Sequence, residues 1–304
     1  MSPKNALIIG SQGQDGQLLH RHLHSLGYLV TPLSKNGTVD ICDPQAILQF
    51  IKSGRFDEIY HLAAFHHSSQ EVLQEDAEFF RKTFEVNFFS LLNILESCRL
   101  HSPNTRIFYA ASSHIFAASK SNSLLSEESE LCPLSAYAQS KLAAKFLCKK
   151  YRESHKIFAT CGILFNHESE LRPENFLSKK IIKGLIRVKN GQLARIELGD
   201  LHAEFDMGWA EDFVRAMHLV LQLKEADDYV IATSVKHSVQ DFVNVVAHEL
   251  GINPTTCVYS PKSVLQREPL TRIGDFSKLK AATSWSPSVS FEQMVLILLK
   301  KELN

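Results

Sequence analysis

The sequence Ala6-Leu7-Ile8-Ile9-Gly10-Ser11-Gln12-Gly13-Gln14-Asp15-Gly16 decides the fold of this chain. A short apolar run that ends in a turn signal is typical of a buried strand. The three glycines, spaced G-x-x-G-x-x-G, allow a tight turn, and the helix that follows presents backbone N–H groups that can hold a pyrophosphate. The stretch therefore predicts the first strand and the first helix of a dinucleotide-binding sheet.

Apolar runs and amphipathic stretches alternate as far as about residue 165. Further strands are predicted at 28–33, 58–63, 107–110 and 157–165, with helices at 18–25, 43–54, 78–100 and 136–151. This alternation is typical of an α/β fold built on a Rossmann-type doubly wound parallel sheet. We predict a dinucleotide-binding domain over residues 1–165, completed by later strands from about 194–235. Residues 166–304 are predicted to form a smaller, interleaved α/β C-terminal lobe.

Composition excludes several classes of partner. The chain has 304 residues, a net charge of zero and a pI near 7.2, so no global basic field predicts binding to nucleic acid or to an anionic membrane. The longest apolar runs fall well short of the roughly 20 residues of a membrane span. The six cysteines are scattered without metal-ligand spacing. We therefore expect free thiols, no metal site and a cytoplasmic location.

Tyr137 and Lys141 are candidates for acid–base chemistry. At a spacing of four they share one face of a predicted helix. A phenol titrates near pH 10, and a lysine ammonium one turn away is expected to lower that pKa. The pair then suits proton transfer to or from an alcohol. The same spacing also occurs on ordinary solvated helices, so the pair gains weight only beside the glycine-rich turn.

The end of the second predicted strand bears on the choice of dinucleotide. An acid at this point binds the ribose hydroxyls of NAD, whereas a base accepts the extra phosphate of NADP. The chain has Ser34-Lys35-Asn36 here and no acid, which favours NADP unless these are simply loop residues. Asp40 and Ile41 resemble an adenine-contacting pair, although a surface carboxylate is the alternative.

Together these residues resemble the extended short-chain dehydrogenase/reductase superfamily, and more closely GDP-mannose 4,6-dehydratase and related sugar-nucleotide epimerases and dehydratases. The resemblance extends over roughly residues 5–300. Its most specific part is Asn166-His167-Glu168-Ser169, preceded by Gly162-Ile163-Leu164-Phe165. Other matching stretches are 6–16, 58–64, 137–141, 198–201, 228–233, 237–239 and 285–287.

The resemblance implies binding roles for many residues. An NADP or NAD cofactor would contact Gly10, Gln12, Gly13, Gln14, Asp15, Gly16, Lys35, Asp40, Ile41, Leu62, Ala63, Ala64, Tyr137, Lys141 and Leu164. A GDP-sugar substrate, held by the C-terminal lobe, would contact Ser113, Asn166, Asn175, Lys179 and Arg267. Tyr137 would act on the sugar C4 hydroxyl, Ser112 would hydrogen-bond to the same hydroxyl, and Lys141 would hold the nicotinamide ribose.

The chain departs from the family at places that bear on the reaction. The glutamate that serves the family as a base is His114 here. An imidazole is able to act as a base, but His114 is equally suited to hydrogen-bond the sugar or to have no role. Phe205 replaces a basic residue, and Phe65-His66-His67 replaces Gln-Ser-His, which suggests a different sugar or step. The shortened segment before Asp40 favours a homodimer over the family's tetramer.

Three interpretations remain open. The first is a 4,6-dehydratase that oxidises a GDP-sugar at C4 and removes water across C5 and C6. The second is a C4 ketoreductase, dehydrogenase or epimerase acting on a GDP-sugar. The third is a non-catalytic relative that binds the cofactor, against which the intact Ser112, Tyr137 and Lys141 argue. The first is preferred because the resemblance is strongest over the C-terminal lobe.

Overall fold

The computed structural model describes residues 2–37, 39–66, 76–118, 123–260 and 271–303. The strands are β1 (Asn5–Ile9), β2 (Leu29–Leu33), β3 (Glu58–His61), β4 (Arg106–Ser112), β5 (Ala159–Leu164), β6 (Asn166–Glu168), β7 (Ile196–Glu197), β8 (Glu204–Trp209), β9 (Asp228–Ile231), β10 (Lys236–Ser238) and β11 (Val258–Tyr259). The helices are α1 (Gln14–Ser25), α2 (Pro44–Gly54), α3 (Ala77–Phe84), α4 (Ser90–His101), α5 (Ala136–His155), α6 (Leu177–Lys189), α7 (Ala210–Val220), α8 (Val239–Leu250), α9 (Pro254–Cys257), α10 (Ser277–Thr283) and α11 (Phe291–Leu303).

The main sheet has six parallel strands in the order β2-β1-β3-β4-β5-β9. Strands β3, β5 and β9 are buried along their whole length. The reason is that helices cover both faces, as parallel sheets require. One face packs under α2, α4 and α5, and the other under α1, α7 and α10. The predicted Rossmann-type fold is thereby confirmed.

The C-terminal lobe has its own core and its own small sheets. Its apolar cluster lies among α6, α8 and α11. Strands β10, β8 and β6 form a three-stranded sheet, and β11 pairs with β7. The prediction that strands from about 194–235 complete the main sheet is therefore correct only for β9. Strand β7 is two residues long and pairs within the lobe, so it never reaches the main sheet.

The long helix predicted at 78–100 contains a π-helical turn, Glu85–Phe89, between α3 and α4. One extra residue per turn changes which side chain faces inward. Here it buries Asn87, whose side chain hydrogen-bonds to both backbone groups of Phe65. The turn thus fixes the loop that follows β3.

Asp206 on β8 joins the lobe to the main sheet. Its buried carboxylate accepts hydrogen bonds from the backbone N–H groups of Thr233, Ser234 and Gly274, at 2.9, 3.0 and 3.1 Å. Thr233 and Ser234 follow β9, so the lobe is anchored at the carboxyl edge of the sheet, where ligands of such folds bind.

Among the described residues, no helix is long and apolar enough to cross a membrane.

Candidate functional site

The glycine-rich turn is the closest backbone approach at the carboxyl edge of β1. Gly10 has a φ of +91°, and a Cβ added there would lie 2.6 Å from the backbone nitrogen of Ala63. A Cβ on Gly16 would lie 2.4 Å from the Gly10 carbonyl oxygen. Side chains are therefore excluded at both positions, and only glycine allows the backbone to pack this closely here.

Helix α1 begins directly after this turn. Within the described part of the chain, no side chain caps its N-terminus at Gly13. The first N–H groups of the helix are thus available to an anion, which is the arrangement that a dinucleotide pyrophosphate requires. The residues present fit such a cofactor.

The first turn of α1 is held by the segment that follows β5, which contains the signature Asn166-His167-Glu168-Ser169. The side-chain amide of Gln14 donates to the His167 carbonyl, and Ser169 donates to the Gln14 side-chain oxygen at 2.9 Å. Arg172 donates to the same His167 carbonyl and pairs with Glu168. The family signature therefore ties the cofactor turn to the lobe. Within Asn166–Ser169, sequence analysis assigns a binding role to Asn166 alone.

Asp15 and His167 form the strongest electrostatic contact of this group. Nε2 of His167 lies 3.0 Å from both carboxylate oxygens of Asp15, and Nδ1 lies 2.7 Å from the Phe165 carbonyl oxygen. Both partners are acceptors, so each ring nitrogen is placed where an N–H can donate. Desolvation raises the pKa of Asp15, but the charge and hydrogen bond of His167 outweigh it, aided by Arg172 and Gln14. The pKa of Asp15 is therefore lowered to about 2.

Ser112, Tyr137 and Lys141 come together at the same edge. Ser112 ends β4, Tyr137 lies in the first turn of α5, and Lys141 is one turn further along. The Lys141 ammonium donates to the Ala110 carbonyl at 2.7 Å and lies 5.6 Å from the centre of the Tyr137 ring. The three residues predicted to carry the chemistry are therefore neighbours.

The predicted lowering of the Tyr137 pKa by Lys141 is wrong for the protein alone. Desolvation raises the pKa of Tyr137 to about 12, although a hydrogen bond with Ser112 acts in the opposite direction. Desolvation also lowers the pKa of Lys141 to about 7. A lysine that is only partly charged at neutral pH, and that is bound to a carbonyl, cannot strongly favour the phenolate.

Two imidazoles lie beside Tyr137. The His114 ring is 6.1 Å from the Tyr137 ring and nearly perpendicular to it, and the His66 ring is 4.4 Å away. Desolvation and the nearby Arg272 guanidinium lower the pKa of His114 below 6.5, so this ring is neutral at pH 7. His66 was noted in the sequence only as a departure from the family. Its contact with Tyr137 depends on tertiary folding, which no sequence spacing reveals.

The other predicted cofactor residues lie around the turn. Leu62, Ala63 and Ala64 follow β3 beneath Gly10, and Leu164 ends β5. Gln12 and Lys35 are exposed. The Asp40 carboxylate accepts the backbone N–H of Cys42 at 2.9 Å, and the Ile41 carbonyl accepts from Asn93. Asp40 and Ile41 therefore have local structural roles, whether or not they also contact a nucleotide.

A basic cavity of about 810 Å³ lies in the lobe between α6 and β7. It is lined by five cations together with two carboxylates: Lys179, Lys180, Lys183, Arg187, Arg195, Glu174 and Glu197. Asn175 is exposed just before α6, Asn166 is exposed on β6, and Ser113 is buried beside Ser112. Arg267, the remaining predicted substrate residue, lies outside the described residues.

Comparison with known proteins gives consistent relatives. A family profile described as GDP-mannose 4,6 dehydratase matches residues 34–298. GDP-mannose 4,6 dehydratase 2 of Arabidopsis thaliana is 34% identical, covering 99% of this chain and 87% of the relative. GDP-mannose 4,6 dehydratase of Homo sapiens is 30% identical, covering 96% and 90%.

Solved structures share the fold. RMD from Pseudomonas aeruginosa, complexed with NADPH, matches with a TM-score of 0.84 and 21% identity, covering 98% of each chain. dTDP-glucose 4,6-dehydratase from Bacillus anthracis, in complex with NAD, matches with a TM-score of 0.85 and 16% identity, covering 99% of this chain and 97% of that one.

Replacing Asp15 with Asn tests the contact with His167. The lowered pKa of Asp15 implies that its charge stabilises the fold by about 2 kcal/mol at neutral pH. This contribution is present above about pH 5, where the unfolded carboxyl is also ionised, and is lost as the pH falls through 2. We expect D15N to have a lower free energy of unfolding at pH 7, and the difference from wild type to shrink below pH 4. Urea titrations from pH 3 to 7 measure it. A difference independent of pH would contradict this account.

Proposed function

This chain belongs to the GDP-mannose 4,6-dehydratase family, and we propose that it oxidises a GDP-linked hexose at C4 and removes water across C5 and C6. The observation that carries the proposal is the grouping of Ser112, Tyr137 and Lys141 at the carboxyl edge of the sheet whose first strand leads into the glycine-rich turn, in a chain whose lobe contains a basic cavity. Redox chemistry at an alcohol needs the three side chains and the glycine-rich turn that binds a dinucleotide. A nucleotide-sugar substrate needs the basic cavity.

The cofactor of the proposed reaction is NADP or NAD. Its pyrophosphate would be held by the turn at Gly10 and Gly13 and by the N-terminus of α1. The nicotinamide would supply the hydride transfer that the reaction needs at C4 and at C6. The protein supplies binding, orientation and proton transfer.

Tyr137 would take the proton of the C4 hydroxyl. With a pKa near 12, the phenol is protonated for most of the time at neutral pH, so the phenolate needs stabilisation. The hydrogen bond from Ser112 supplies part of it. Lys141, next to Tyr137 on α5, would hold the ribose of the cofactor.

His114 would take the C5 proton once C4 is a ketone. Its ring is exposed to the site and stands over the edge of Tyr137. Desolvation and Arg272 keep it neutral at pH 7, which is the form that accepts a proton. A neutral imidazole would thus accept the proton as the family carboxylate does, although the two groups differ in charge.

The basic cavity would hold the GDP moiety. Two phosphates carry charge that the cations of α6, and Arg195 just before β7, can neutralise. Lys179 is buried in the wall of the cavity and pairs with Glu302 of α11, and Lys183 pairs with Glu174. The lysines are thus held in place before substrate arrives.

Incubation with GDP-mannose tests the reaction. We expect a product lighter by one water, with no net change in nicotinamide. His114→Asn is expected to lower this rate by about 10²–10⁴-fold, because a positioned base contributes roughly that factor. His248→Asn, an exposed histidine on α8, serves as the control. Loss of two hydrogens with net reduction of nicotinamide would instead support an oxidoreductase acting at C4, and full dehydration by H114N would exclude His114 as the base.

NADP is the proposed form of the cofactor. A second cavity, of about 420 Å³, opens between α1 and the end of β2; it is lined by Ser11, Gln12, Gln17, His20, Arg21, Pro32 and Ser34. Among these described residues none carries a carboxylate. The guanidinium of Arg21 and the hydroxyls suit a ribose phosphate and offer nothing specific to a ribose diol.

Arg21→Gln tests this assignment. We expect about tenfold weaker binding of NADPH or more, since a hydrogen bond to a charged group is worth roughly 1.5–3 kcal/mol. Binding of NADH is expected to stay unchanged. Cofactor fluorescence measures both affinities, and Lys149→Gln on α5 controls for loss of surface charge. Equal weakening of NADPH and NADH, or tighter binding of NADH by wild type, would count against NADP.

A homodimer is the proposed assembly, with a second copy seated on α4 and α5. These helices pack together, and beside them Phe89 is 49% exposed and Phe146 51% exposed. Leu92 on α4 and Leu142 on α5 are partly buried apolar residues of the same helices, and Phe88 is a partly buried one in the π-helical turn before α4. Exposed aromatic side chains on adjoining helices are typical of an interface.

Phe146→Asp tests the dimer. A charge placed in an apolar interface is expected to give a monomer by light scattering at concentrations where wild type is a dimer. Leu26→Asp, at an equally exposed apolar position after α1, is the control. A dimeric F146D, or a monomeric wild type, would refute the proposed interface.

A cytoplasmic location is proposed as well. All six cysteines are free thiols, and Cys98, Cys148, Cys161 and Cys257 are buried. Such thiols are typical of a reducing compartment. Cell fractionation of the tagged protein tests it.

A further inference from the structure

His66 is held firmly beside the catalytic tyrosine. Its ring centre lies 4.4 Å from that of Tyr137, and the two rings are inclined by 42°. The preceding residue is clamped by Asn87, which accepts the Phe65 N–H at 2.7 Å and donates to the Phe65 carbonyl at 3.2 Å. Asn87 also donates to Ser140 on α5, the helix that carries Tyr137. The loop and the helix are therefore fixed relative to each other.

The proposed dehydration has a proton balance that Tyr137 and His114 do not close. Oxidation at C4 gives the hydroxyl proton to Tyr137. His114 removes the C5 proton and returns it to C5 at the end of the reaction. The C6–O bond breaks as the C5=C6 bond forms, and the departing hydroxide needs one further proton to leave as water. Each turnover therefore leaves Tyr137 with one proton too many and the acid at C6 with one too few.

We propose that His66 is the general acid that protonates the departing C6 hydroxyl, and that Tyr137 returns the proton to it. This inference rests on the proposed dehydration. His66 donates its imidazolium proton to the C6 oxygen and becomes neutral. The proton that Tyr137 took from the C4 hydroxyl then passes to His66. Both groups are reset, and the net transfer is one proton from the C4 oxygen to the released water.

His114 and His66 have different surroundings, and these suit different roles. His114 faces Tyr137 and Arg272, and the guanidinium opposes a second positive charge there. His66 faces Tyr137 on α5, whose phenol is in turn acted on by Asp15 and Arg172. The ring next to a cation is suited to be the base, and the ring nearer the proton-loaded phenol, at 4.4 Å rather than 6.1 Å, is suited to be the acid.

The test compares wild type, His66→Asn and His101→Asn, an exposed histidine at the end of α4. With GDP-mannose in heavy water, H66N is expected to lose water about 10²-fold more slowly. It should still exchange the C5 proton, so that deuterium appears in recovered GDP-mannose. The alkaline side of the pH–rate profile should change in H66N and stay as in wild type in H101N, because the proposed acid works only while protonated. Cofactor binding shows that the variant is folded.

The outcomes separate this inference from the proposed function. If wild type releases no water from GDP-mannose, both are overturned. If wild type dehydrates and H66N matches it in rate and pH profile, only the role of His66 is overturned. Loss of C5 exchange together with dehydration would also overturn it, because His66 would then act before or during proton removal. Slow dehydration with intact exchange supports it.

Discussion

The ionic hydrogen bond between Asp15 and His167 is the contact on which the site depends. It joins the first turn of α1 to the segment from which the C-terminal lobe departs. A hydrogen bond to a carboxylate in a partly buried position is stronger than the same bond on the surface. This contact stabilises one orientation of the glycine-rich turn relative to the lobe.

Burial shapes the chemistry of the site more than any single charge. It raises the pKa of Tyr137 and lowers that of Lys141, so both groups are pushed toward their neutral forms. Desolvation acts in the same sense on His114. A site that holds acids and bases uncharged can pass protons among them without first paying to bury charge.

The sequence predicts the main sheet well and the lobe poorly, for a physical reason. Strands such as β1 and β5 are buried on both faces over almost their whole length and are apolar except for Asn5 and Thr160, so the sequence alone shows them. Strand β6 (Asn166–Glu168) and strand β10 (Lys236–Ser238) are short and polar, and exist only because other strands pair with them. Among site residues, the glycines and the Tyr137–Lys141 spacing are local signals. The positions of His66, Asn87 and His167 follow from tertiary contacts.

The π-helical turn at Glu85–Phe89 makes the active site sensitive to register. A helical residue advances by about 100° around the axis. Deleting one residue from this turn would restore a regular helix and rotate Asn87 away from Phe65, although every amino acid of the site would still be present. The length of the segment from α3 to α4 is therefore a stricter constraint on the site than its composition. A substitution on its outer face leaves the contact of Asn87 with Phe65 in place, whereas an insertion or a deletion displaces it.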